Sequence, residues 1–225
     1  MRNNQKKTNN HPRKRQTDQS TGCLSGFFIP MLIVLLIGII LAANSTSFDN
    51  LHLPGSTQNT KIASLFTPEV QFWAENIQKW AKDHQLDPNL VATVMQIESC
   101  GNPDSLSGAG AAGLFQVMPF HFSTVENNFD PETNALRGLS YLANSMESAH
   151  GDYRLALAGY NGGIGIIDQP ETNWADETIR YVYWGTGIYS DAQQYFKTST
   201  RLDEWLNAGG YALCDLAKQK LGFSQ

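Results

Sequence analysis

No C-x-x-C pair occurs in this chain, and His11, His52, His84, His121 and His150 show no metal-site spacing. A structural zinc site or a dithiol redox centre is therefore not expected. The nucleophile elbow G-x-S-x-G is also missing, which excludes the commonest serine-hydrolase signature. Gly162-Gly163-Ile164-Gly165 has the glycines of a nucleotide loop, but it follows a helical pattern where such a loop needs a strand. Alternating apolar and polar runs are scarce, which argues against a sandwich or barrel. There is no internal repeat. Basic residues thin out after residue 22: residues 44–225 hold 10 of the 16 Lys and Arg but 20 of the 21 Asp and Glu. So acidic a segment has no clustered cations for phosphate, so no nucleic-acid partner is expected.

The chain does hold a long apolar run. Phe27 to Ala43 reads FFIPMLIVLLIGIILAA, without a charge and with small or apolar flanks from Leu24. A bilayer crossing takes about 20 apolar residues, so residues 23–43 are long enough for a transmembrane anchor. Before the run stand Arg2, Lys6, Lys7, Arg13, Lys14 and Arg15 against the single acid Asp18. The first basic residue after it is Lys61, so residues 1–22 are expected to stay cytoplasmic and the rest to be exported across the inner (cytoplasmic) membrane. A cleaved signal peptide ending near Ala43 is the rival reading, although its apolar core is usually only about 7–15 residues. Residues 44–66, rich in Asn, Ser and Thr, read as a linker. On the exported side Cys100 and Cys214 can form one disulfide or remain two buried thiols.

From residue 67 onward the punctuation is helical. Thr67-Pro68-Glu69, Asp87-Pro88 and Asp130-Pro131 each offer an N-cap followed by a first-turn proline, and Asp152 can cap another helix. Val70, Trp73, Ile77 and Trp80 form one apolar stripe; Leu136, Leu139, Leu142, Ala143 and Met146 form another. A helix runs from about Asp176 to Trp184, and at least one more follows Thr200, where Leu202, Trp205, Leu206, Leu213 and Leu216 offer apolar contacts. The expected fold is a single, mainly α domain over residues 67–225, with a helical extension from about 186.

One residue is out of place in that scheme. Around the helix that follows Asp87, Val91 lies about 20° from Glu98, Val94 about 40° and Met95 about 60°. Glu98 therefore sits in the apolar stripe. Burial without a counter-charge favours the neutral carboxyl, and a carboxyl protonated near neutral pH is a proton donor. Immediately afterwards the loop Ser105 to Gly113 is built of small residues, which leaves room for a ligand beside the acid. The alternative is a structural Glu paired with an arginine or reaching water at a frayed helix end.

The ordered set Glu98-Ser99, Ser107, Gly110-Ala111-Ala112-Gly113-Leu114-Phe115-Gln116-Val117-Met118-Pro119, Asp130-Pro131 to Asn134, Gly138, Tyr141-Leu142, Ala158 to Gly163, Glu177-Thr178 and Tyr181-Val182 resembles the signature of soluble-type lytic transglycosylases. The resemblance spans about residues 85–185. It implies a lysozyme-like α+β superfamily fold, a peptidoglycan substrate and no cofactor. It also implies cleavage of the MurNAc–GlcNAc bond to 1,6-anhydro-MurNAc ends, with Glu98 as acid and then base. Ser107 is then placed near the N-acetyl group. Gln116, Met118, Tyr160 and Asn161 line the sugar groove, and Glu177 and Tyr181 surround Glu98 or its saccharide. Met118 and Tyr160 also suit plain core, and Glu177 a solvated helix face. Gly159 and Gly162 replace the usual alanines, which is expected to loosen that helix end; Phe115 and Cys100 are further departures.

Two other functions fit the same residues. Glycoside hydrolases generally use two carboxyls flanking the bond. Between Glu98 and Glu126 the only acid is Asp104, so a hydrolase would need Glu177 as partner. A binding or assembly module that keeps the groove without turnover is the other. The segment from Thr200 to Gln225 lies outside the matched motifs; it can pack behind the domain or meet a cell-wall or secretion partner.

Overall fold

The computed structural model describes residues 62–223; the basic tail, the anchor expected at 23–43 and most of the linker lie outside them. Among the described residues no helix is long and apolar enough to cross a membrane. Ile62, Ala63, Leu65 and Phe66 are buried in the main core, so packing begins inside the segment read as linker. The Ala63 amide donates to the buried Asn89 Oδ1 at 2.7 Å, which ties this entry strand of chain to the helix that carries Glu98.

The expected helix starts appear where proline and its cap stand. α1 is Pro68–Gln71 and α2 is Ala74–Asp83. The stripe Val70, Trp73, Ile77 and Trp80 is buried as its spacing requires, but the backbone breaks at Phe72 and Trp73, so two short helices replace one. α3 is Pro88–Ser99, capped by Asp87, whose side chain accepts from the Asn89 amide at 2.7 Å. Nine of its residues are buried, which makes it the central helix.

α4 is Pro131–Ser148, capped by Asp130. Leu139 and Leu142 are buried, whereas Leu136 is 49% exposed, one turn before Leu139 but rotated off the core face. α5 is Tyr153–Gly162, capped by Asp152 onto Arg154 and Leu155. α6, Asp176–Gln193, continues beyond the expected end at Trp184 because Ile188, Tyr189 and Ala192 prolong its buried stripe. α7 is Thr200–Trp205 and α8 is Tyr211–Leu221, joined by a π-type kink at Leu206–Gly210 where Gly209 takes φ 130°.

The C-terminal extension belongs to the same core. Leu202, Trp205, Leu206, Cys214 and Ala217 are buried in it, while Leu216 stays 54% exposed. Cys214 on α8 is disulfide-bonded to Cys100 at the end of α3, with Cα atoms 5.0 Å apart. Phe223 meets Phe72 edge-on at 5.8 Å. Among the described residues there is no strand; two isolated antiparallel bridges, Leu106 with Ala112 and Ala112 with Val117, fold the small-residue loop back on itself.

Candidate active site

α3 ends at Glu98-Ser99 because Cys100 turns into the left-handed region, φ 51°, followed by Gly101 at φ 81°. Buried Ser99 secures that end: its hydroxyl donates to the Leu114 carbonyl at 2.7 Å and accepts from the Gly101 amide at 3.1 Å. The helix terminus and the glycine-rich loop are thus fastened directly to each other, with Glu98 beside the junction.

The loop is held in shape by its own polar atoms. Ala112 and Val117 exchange both backbone bonds at 3.0 Å. The Ser107 hydroxyl accepts from the Ala111 amide at 2.9 Å. Gln116, at φ 44°, donates its side-chain amide to the Ser105 and Gly113 carbonyls at 3.1 Å each. From α4, buried Asn134 accepts from the Phe115 amide at 2.9 Å and donates to the Ala112 and Asn128 carbonyls at 2.7 and 2.9 Å. Gly113 and Gly138 make this approach possible, since a Cβ at Gly113 would stand 2.3 Å from Asn134 Nδ2 and one at Gly138 2.7 Å from the Phe115 Cβ.

α5 and α6 supply the opposite wall. The Tyr160 hydroxyl donates to the Phe115 carbonyl at 2.7 Å, and Asn161 Oδ1 accepts from Thr178 on α6 at 2.7 Å. Gly159 and Gly162 do not loosen this helix end. They lie inside regular α5 with Ser145, Ile166, Ile167 and Thr178 packed so tightly that a Cβ would come within 2.4–2.9 Å of them. Glycine here admits neighbours and keeps Tyr160 and Asn161 in register.

Between these walls lies a cleft of about 390 Å³. Glu98, Ser107, Gln116, Met118, Tyr160, Asn161 and Glu177 all line it. Tyr181 does not; it is buried behind Glu98 on α6. His121 also faces the cleft, as do Gly138 and Tyr141, which sequence reasoning placed in the motif set without a role in the cleft. The regular spacing of Gly138 and Tyr141 along α4 was the available signal; nothing marked His121.

Glu98 is half-buried, with one edge reaching the cleft and the rest of its carboxyl crowded by protein. Its pKa is raised from 4.5 to about 8: burial pushes it up most, the Tyr181 hydroxyl pulls it down, and the negative charge of Glu177 adds to the rise. That Tyr181 contact lies outside standard hydrogen-bond geometry, which leaves the buried phenol without another partner. Burial and the neighbouring Glu98 also push the Tyr160 and Tyr181 phenols well above their ordinary range, so both remain O–H donors. No arginine or lysine lines the cleft. The arrangement is a protonated carboxyl at neutral pH, backed by a phenol and facing a sugar-sized space. Asp104 is turned elsewhere, paired with Lys220 on the surface.

Comparison with known proteins finds similarity over the same part of the chain. Residues 75–182 match the model of the transglycosylase SLT domain. A transglycosylase of Enterobacteria phage PRD1 is 39% identical over 111 residues, covering 48% of this chain and 40% of its own length. Membrane-bound lytic murein transglycosylase E of Buchnera aphidicola is 27% identical over 137 residues, covering 52% of this chain and 59% of its own. Membrane-bound lytic murein transglycosylase C of Sodalis glossinidius is 31% identical over 111 residues, covering 40% and 31%. The chain thus spans less than two thirds of each of these relatives.

Proposed function

We infer the function from one premise, that residues 75–182 of this chain belong to the transglycosylase SLT family: the protein is a peptidoglycan lytic transglycosylase. The observation that carries the reading is Glu98, a carboxyl with its pKa raised to about 8 at the wall of the cleft.

The chemistry needs one group in two states. Protonated Glu98 gives its proton to the oxygen that links MurNAc C1 to GlcNAc C4, and the C1–O bond breaks with its electron pair leaving on that oxygen. The carboxylate then takes the proton of the muramyl C6 hydroxyl as that oxygen bonds to C1. A 1,6-anhydro ring closes, Glu98 is protonated again, and no water is consumed. Tyr181 supports the carboxylate between the two steps, because its O–H dipole favours the charged form. Ser107, Gln116, Met118, Tyr160 and Asn161 position the strand. Gln116 does so as part of the loop frame, since its amide is engaged by loop carbonyls. The same reading places residues 24–43 in the membrane as an uncleaved anchor, with the domain outside the cytoplasm.

Glu177 supports a second reading, a muramidase hydrolase, because it is the other carboxylate on the cleft. Mass spectrometry of digested peptidoglycan separates the two. Anhydro-muramyl ends are expected, with activity lowered about 10²–10⁴-fold in Glu98→Gln. Reducing muramyl ends would establish the hydrolase, and undiminished turnover by Glu98→Gln would remove the acid from the mechanism.

A further inference from the structure

Four aromatic rings form a continuous series from the acid outward. Tyr160, which lines the cleft with Glu98, lies 5.8 Å from Tyr141; Tyr141 lies 4.7 Å from His121, and His121 lies 4.4 Å from Phe120. Successive rings are tilted by 56°, 52° and 45°. The first three line the cleft, and the fourth, packed against His121, is 75% exposed.

The outer pair is held in place. Pro119–His121 is a 3-10 turn closed by His121 N–H to the Met118 carbonyl and Phe122 N–H to the Pro119 carbonyl, at 3.0 and 3.2 Å. Phe122 anchors the turn by packing on the main core, whereas Phe120, two residues earlier, is left in solvent. A single exposed apolar ring is unremarkable on its own. This one adjoins a series whose other three rings line the same cleft of about 390 Å³ as Glu98. Partial burial holds the His121 imidazole below its ordinary pKa, so the ring is neutral near pH 7 and is suited to an apolar face.

We propose that Phe120 and His121 form a saccharide-stacking platform that prolongs the cleft, taking the C–H face of a β-1,4-linked amino-sugar strand beyond the sugars at Glu98. A pyranose in such a strand presents axial C–H bonds on its faces and hydroxyls at its rim. Aromatic faces bind the former while leaving the latter in water. The platform fixes where the strand leaves the cleft and gives the enzyme a preference for longer glycans. This inference rests on reading the cleft as a glycan groove.

The test titrates β-1,4-linked GlcNAc hexasaccharide into full-length Glu98→Gln protein in detergent micelles, so that no cleavage occurs. Adding Phe120→Ala weakens binding roughly 2- to 10-fold, the range expected for one stacked ring. Phe120→Trp restores it. Val125→Ala, which alters a side chain 92% exposed on the same loop and outside the series, does not change it. In protein with Phe120 intact, the His121 ring resonances shift on adding the sugar. Unchanged affinity in Phe120→Ala, or no hexasaccharide binding with Phe120 intact, overturns the platform, even where the native enzyme still makes anhydro ends. Absence of those ends from native enzyme instead overturns the reading of the cleft itself.

Discussion

Glu98 keeps its proton because its surroundings make the carboxylate costly, and that has consequences for both activity and stability. Its pKa is about 8 in the folded chain and 4.5 in an ordinary carboxyl. Between those values the folded protein binds more protons than the unfolded chain, so this residue makes stability fall as pH rises through that window and level off above it. Glu98→Gln removes the dependence. The variant should match the native protein near pH 4.5 and exceed it at pH 9 by an amount on the order of a few kcal/mol, read from denaturant titrations at both pH values. A variant less stable at pH 9 would contradict a buried, reluctant acid. Activity has the same origin but the opposite use: kcat/KM should decline above pH 8 as the donor ionises. Glu177→Gln removes a negative neighbour that raises the Glu98 pKa, so it should move that decline to lower pH.

At the level of elements, the site is a loop fastened between two helices, and Asn134 is the main fastener. It is buried on α4 and satisfies the Phe115 amide and the Ala112 and Asn128 carbonyls. Asn134→Ala leaves the Phe115 amide without its partner and removes a donor from the Ala112 and Asn128 carbonyls; an unsatisfied buried polar group costs about 1–3 kcal/mol. Chemical denaturation should show at least that loss, and KM for peptidoglycan should rise as the cleft wall slackens. The helices around this loop were legible in the sequence because Asp87-Pro88, Asp130-Pro131 and Asp152 announce their starts chemically, and because Glu98 interrupts an apolar stripe. Less was legible where tertiary packing decides. The stripe through Trp73 gives no sign that the backbone breaks there. Leu136 fits the periodicity yet is 49% exposed, because its side chain is rotated off the face that Leu139 and Leu142 bury. Gly159 and Gly162 looked like weakness in a helix, and only Ile166, Ile167, Ser145 and Thr178 closing on them reveal close packing. His121 could not be found from spacing, since its place in the cleft comes from the packing of its ring on Tyr141 of α4.

Across the whole molecule, the disulfide joins the tip of the helix that carries Glu98 to a segment outside the SLT match. Cys100 follows Glu98 by two residues, and Cys214 lies on α8, 114 residues away in sequence. Removing a bridge from a small exported domain typically costs about 2–5 kcal/mol. A Cys100→Ala/Cys214→Ala protein should lose stability of that size and lose activity with it, since the same bridge holds the end of α3. The bridge also reports on topology. Disulfides persist in oxidising compartments and are rare in the cytosol. The chain has three cysteines, and Cys23 stands on the cytoplasmic side of the proposed anchor. Cells are quenched with acid, and the denatured full-length protein is treated with a maleimide polymer. One label should attach without reductant, on Cys23, and three after reduction. Three labels without reductant would place the domain in a reducing compartment, where peptidoglycan is absent and an anchored wall-cleaving enzyme has nothing to act on.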